Sequence, residues 1–94
     1  YGEGNAFANL GSDYRTLGDI ELARQYFEKH LEIATEIGDL KGQADALQNQ
    51  ASIDLQTDQM EQTLKRLQEA IRLYRQIGSP EADKLERFLN SANA

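Results

Sequence analysis

The sequence predicts an all-α chain arranged as an α-solenoid: two antiparallel helix-turn-helix repeats followed by a capping helix. Three observations predict it. Apolar residues recur at steps of three and four and never alternate for long with period two. Helix breakers fall at regular places, at Gly18-Asp19, Gly38-Asp39, Thr57-Asp58 and Gly78-Ser79-Pro80. The chain also matches itself at a spacing of 40 residues, which pairs Gly2 with Gly42, Ala6 with Ala46, Asn9 with Asn49, Ser12 with Ser52, Ile37 with Ile77 and Gly38 with Gly78. A fixed period of this size marks a stack of supersecondary units.

Helices are expected at about 4–17, 20–37, 41–56, 59–77 and 80–91. The first carries Phe7, Leu10 and Tyr14 at helical spacing, and the second carries Ile20, Ala23, Phe27, His30, Leu31, Ala34 and Ile37. The third is placed by its register with the first. The fourth repeats the stripe of the second with Met60, Leu64, Leu67, Ala70, Ile71, Tyr74 and Ile77. In the fifth, Leu85, Phe88, Leu89 and Ala92 are expected to face inward, with Asp83, Lys84, Glu86, Arg87 and Asn90 in water, as a cap requires. Each breaker Gly suits a left-handed position after a helix, and the Asp or Ser that follows can cap the next one. Pro80 fits a first helical position, where its missing N–H is no loss. Short loops make successive helices antiparallel.

Composition limits what such a chain can do. At 94 residues there is room for one domain with a modest core. Without Cys there is no disulfide, thiolate nucleophile or Cys-based zinc site, and one His with no partner makes a poor metal ligand. No metal site and no cofactor are expected. The net charge of −6 argues against nucleic acid and membrane partners, whose phosphates would repel it. Lys65, Arg66, Arg72 and Arg75 cluster around Glu61 and Glu69, and are read as a solvated face paired with acidic neighbours. No run of eighteen apolar residues or export signal is visible, so the expected location is cytoplasmic. Gly2-Glu3-Gly4 lacks the strand and Lys of a phosphate-binding loop, and no catalytic constellation surrounds His30. The chain is not expected to be an enzyme. His30 is read as a hydrogen-bonded packing residue on the inner side of the second helix.

Phe7-x-x-Leu10-Gly11-x-x-Tyr14 followed by Ala23-x-x-x-Phe27 resembles the tetratricopeptide repeat pattern, with Phe for the usual first Trp. Gly11 and Ala23 are small where the two helices of a repeat approach, and Phe7, Leu10, Tyr14 and Phe27 fill the space around them. The period of 40 resembles the longer repeat subclass, with repeat 1 at about 2–39, repeat 2 at about 42–79 and the cap at about 80–91. Repeat 2 departs from the pattern, since Gln50, Asp54 and Thr63 answer Leu10, Tyr14 and Ala23. Asp54 and Thr63 are expected to hydrogen-bond to each other, with Arg66 as the competing partner.

The resemblance implies non-catalytic protein–protein binding in a concave groove lined by the first helix of each repeat. Asn9 and Asn49 occupy equivalent places there, with Ser12 and Ser52 one turn on, and Asn5, Arg15, Asp45 and Gln48 as neighbours. An Asn amide holds a donor and an acceptor, so it can grip a peptide backbone without reading side chains. Arg15 alone does not make the basic clamp that some relatives use for acidic tails, so a neutral or mildly basic peptide is expected. The alternative is a structural, self-associating module. Tyr1-Gly2-Glu3-Gly4 reads as the entry to a repeat, which leads to the expectation of a segment of a larger protein whose uncapped first repeat can meet a second copy.

Overall fold

A computed structural model describes the backbone of residues 2–92 and the side chains of residues 6–91. Among the described residues there are five helices and no strand: α1 (Gly2–Thr16), α2 (Ile20–Ile37), α3 (Leu40–Gln56), α4 (Met60–Gln76) and α5 (Glu81–Ala92). Each helix packs principally on its neighbours in sequence, α1 on α2, α2 on α3, α3 on α4 and α4 on α5. That is the order of a solenoid of two hairpins and a closing helix. Gly2-Glu3-Gly4 forms the first turn of α1, so no loop exists there to cradle an anion.

The turns are one device used four times. A backbone N–H at Asp19, Asp39, Gln59 and Ser79 donates to the carbonyl five residues back, at Tyr14, Ala34, Asp54 and Tyr74, over 2.7–2.9 Å. This is the closing bond of a Schellman motif, which needs a left-handed residue just before the donor. Gly18, Gly38 and Gly78 supply it with φ of 87°, 72° and 71°. In the third turn the left-handed residue is Asp58, φ 60°, the one described non-glycine with positive φ. The expectation that Asp58 would cap α4 is therefore corrected. Asp58 stands where Gly18 stands, and α4 starts behind Gln59 with no side-chain cap. Asp19 and Asp39 do cap, accepting from the Leu22 and Gly42 amides, while the Ser79 hydroxyl accepts from Glu81.

The core is lopsided. Its larger part joins Ala44, Ala51, Leu67, Ala70, Ile71, Leu73 and Tyr74 of the second hairpin to Ala82, Leu85 and Leu89 of α5. A smaller part holds Ala23, Phe27 and Ile53, with Tyr14 and Ile20 packed on it. Ile53 thus ties α3 back to the first hairpin. Leu85 and Leu89 are buried as a cap requires, but Phe88 is 47% exposed, against expectation. It lines a cleft between α5 and α3. Ala92 and Tyr1 fall outside the residues whose side chains are described.

Candidate functional site

The face carried by α1 and α3 can be built residue by residue. On α1, Asn9, Ser12 and Arg15 are exposed, and none of their side chains bonds another described residue. The side chain of Asn5 lies outside the described residues. On α3, Asn49 is half-buried and likewise has no hydrogen bond to a described residue. The other α3 candidates are committed. Tyr74, buried in α4, donates its phenol proton between Asp45 Oδ1 and Gln48 Oε1, the latter at 3.1 Å. Asp45 also accepts from Lys41 at 2.9 Å, and the bond holds the Lys41 ammonium above its ordinary pKa. Burial first, then the bond to Asp45, pushes the Tyr74 phenol far up, so it stays a donor throughout the working pH range. The Ser52 hydroxyl donates to the Gln48 carbonyl at 3.2 Å.

The committed residues leave some capacity unused. The Gln48 amide N–H groups and the Ser52 lone pairs have no hydrogen-bond partner among the described residues. Between α3 and α5 lies a cleft of about 200 Å³ walled by Gln48, Ala51, Ser52, Leu55, Thr63, Leu67, Leu85 and Phe88. Leu55 and Phe88 were not anticipated as parts of this face. Their signal in the sequence was present, since Leu55 stands 40 places from Arg15 and Phe88 stands 40 places from Gln48.

Behind this face the two hairpins are held together by a buried carboxylate. Asp54 is fully buried and does not bond Thr63, which corrects the expectation for that pair. It accepts from Arg24 of α2 at 3.0 Å and from Arg66 of α4. Arg66 wins over Thr63 because a carboxylate taken from water needs charge as well as a hydrogen bond. The Thr63 hydroxyl turns instead to the carbonyls of Gln59 and Ala51, at 3.0 and 3.4 Å. Arg24 was missed. It stands at helical spacing among Ile20, Phe27 and Leu31, and a charge on an apolar stripe signals a buried partner.

His30 is buried as expected, yet its Nδ1 has no hydrogen-bond partner, so it packs without the bond foreseen for it. Burial lowers its pKa from the usual 6.5, against the opposing pull of Asp45 and Asp39, which favours a neutral ring. Three members of the basic cluster are paired on the surface as expected, Lys65 with Glu61, Arg72 with Glu69, and Arg75 with Asp83 and Glu86. Arg66 is not part of a solvated face, because it turns inward to the buried Asp54. The Arg72 bond draws the Glu69 carboxyl below its ordinary pKa. No group of three metal-binding side chains occurs among the described residues. No described helix is long and apolar enough to cross a membrane.

At the edge of the first hairpin Tyr26 stacks on both Phe7 and Tyr14, with ring centroids 6.0 and 5.5 Å apart. Phe7, Leu22 and Tyr26 line a depression there, rimmed by Glu28, Lys29 and Glu32.

Comparison with known families gives a match to the tetratricopeptide repeat over residues 3–83. Comparison with curated proteins and with solved structures gives no match.

Proposed function

The chain belongs to the tetratricopeptide repeat family, whose members generally mediate protein–protein interaction, and from that premise we propose that it grips an extended segment of a partner protein along the face of α1 and α3. Repeats of this family are typically non-catalytic interaction modules. The observation that carries the reading is the pair Asn9 and Asn49. They hold equivalent places on two helices, and neither amide is spent on another described residue. Two such amides can each meet a peptide C=O or N–H, holding backbone while side chains select for fit. Asp45 is neutralised by Lys41, and Arg15 bonds no other described residue, so a segment without strong charge suits this face best.

The test begins with peptides selected from a random displayed library against the wild-type chain. Replacing both residues, Asn9→Ala with Asn49→Ala, should weaken a selected peptide by about 1–3 kcal/mol, roughly 5- to 150-fold, with helix content unchanged. Equal affinity in wild type and double variant puts the contact elsewhere. The second reading, self-association as a scaffold element, is favoured by the stacked and partly uncovered Phe7 and Tyr26. A mass that rises with concentration, and stops rising in Tyr26→Glu, would support it.

A further inference from the structure

The cleft between α3 and α5 offers a different kind of recognition from the Asn pair. Its floor is Ala51, Leu67 and Leu85, all buried, and its outer walls are Leu55, 41% exposed, and Phe88, 47% exposed. No charged side chain lines it. The Thr63 hydroxyl is already spent on backbone carbonyls of α3 and α4's entry. The polar groups left at the rim are few and of definite sense. The Gln48 amide can donate, because its oxygen is the part that receives Tyr74. Ser52 Oγ can accept, because its proton goes to the Gln48 carbonyl.

We propose that this cleft is the specificity subsite of the groove, taking one large uncharged apolar side chain, Leu, Met or Phe, from the bound segment. In this arrangement Gln48 donates to the carbonyl and Ser52 accepts from the amide N–H beside that side chain. The inference rests on the groove reading above and adds to it the class of residue that is read. Size supports the assignment: an apolar cavity of about 150 Å³ is enough for a benzene ring, and the cleft measures about 200 Å³. Charge supports it too, since an ionised side chain placed there would lose water and find no counter-charge on the walls. The exposure of Phe88 is then explained, because an uncovered ring on the inner flank of a cap is a wall awaiting contents. A site of this type fixes which residue of the segment sits at α5, and the Asn pair fixes the backbone ahead of it.

The experiment uses four small probes, the N-acetyl N-methylamides of leucine, phenylalanine, alanine and aspartate. Each carries one side chain flanked by the carbonyl and N–H that Gln48 and Ser52 would meet. Methyl resonances of Ala51, Leu67 and Leu85 are followed as each probe is added to the whole chain. The leucine and phenylalanine probes should shift these signals saturably, at concentrations at least about tenfold below the alanine probe, and the aspartate probe should leave them in place. The double variant Leu55→Ser with Phe88→Ser alters partly exposed walls only, so it should fold, and it should weaken the leucine probe about tenfold or more. Shifts that ignore side-chain type, or that persist in this variant, overturn the proposal. So do shifts that follow protein concentration without probe, which would mean a second copy fills the cleft. If the probes fill the cleft but Asn9→Ala with Asn49→Ala leaves selected peptides unaffected, the subsite stands and the groove reading falls. If that variant weakens peptides while the cleft stays silent to every probe, the groove reading stands and the subsite falls.

Discussion

In the first hairpin a phenyl ring is laid on a glycine, Phe27 on Gly11; the corresponding positions of the second hairpin hold a leucine and an alanine. A Cβ added at Gly11 would sit 2.6 Å from Phe27 Cε1, so the ring occupies the space a side chain would need. Forty residues on, the matching places are held by Ala51 and Leu67, both buried in the same core cluster, with volume moved from one helix to the other. The surroundings differ more. The first hairpin is trimmed with stacked rings, Tyr26 between Phe7 and Tyr14. The second is bound by polar contacts, Asp54 to two arginines and Tyr74 to Asp45 and Gln48. Departure from the repeat pattern in the second hairpin is thus a change of fastening. It also has a functional consequence. The side chains of Asn9, Ser12 and Arg15 on α1 bond no other described residue, while Asp45 and Gln48 of α3 are used to hold α4.

The largest effect expected from breaking this contrast is at Asp54. Asp54→Ala leaves Arg24 and Arg66, both mostly buried, without their shared carboxylate, and should cost about 3 kcal/mol in urea unfolding. Next comes the ring-on-glycine contact. Gly11→Ala should cost about 1–2 kcal/mol, since overpacking outweighs the helix propensity that alanine brings. Adding Phe27→Leu copies the pair of the second hairpin into the first. The double variant should then be more stable than the sum of its parts by about 1 kcal/mol, whereas strict additivity would show that the two contacts are not interchangeable.

His30 sharpens the comparison through pH. Its folded pKa is lowered by burial, so the unfolded chain binds a proton first as pH falls through about 6.5, the unfolded value. The stability that His30 contributes is fully present above that pH and is lost as pH falls toward the depressed folded pKa. Unfolding free energies measured between pH 7 and 5 should decline, and His30→Leu should flatten the decline. The smallest effect is a gain. Asp58 holds the left-handed position that Gly18 fills in the first hairpin, and Asp58→Gly should raise stability by up to about 1 kcal/mol.

Much of this molecule was legible as sequence because helices announce themselves locally. Apolar steps of three and four, with a glycine at three of the four turns, placed all five helices to within a few residues. The buried joint at Asp54 was half legible. A carboxylate on an inward position demands a partner, and Arg66 on the next helix was in view. Arg24 comes from the previous repeat, and that distance in sequence carries no periodic signal, only the oddity of a charge among Ile20, Phe27 and Leu31. Repetition marks Asn9 with Asn49 and Ser12 with Ser52 as candidates for a face, and the Ser52 hydroxyl is bonded to the Gln48 carbonyl within α3. The commitment of Asp45 and Gln48 was not legible, because it depends on a tyrosine reaching across from α4, where the first hairpin has Ala34. The unburied face of Phe88 was misjudged for a related reason: on a short cap the apolar stripe is wider than the surface available to cover it.

Asp54 fastens the second hairpin to the first as well as to its own partner helix. A double-mutant cycle across the two repeats tests this most directly. Unfolding free energies of wild type, Arg24→Ala, Asp54→Ala and the double variant give the coupling between α2 and α3, with Arg66 left in place. A coupling of about 1–3 kcal/mol is the predicted result. Additivity within about 0.5 kcal/mol would mean that the carboxylate serves its own hairpin alone, and that the repeats are joined by apolar packing at Ile53 instead.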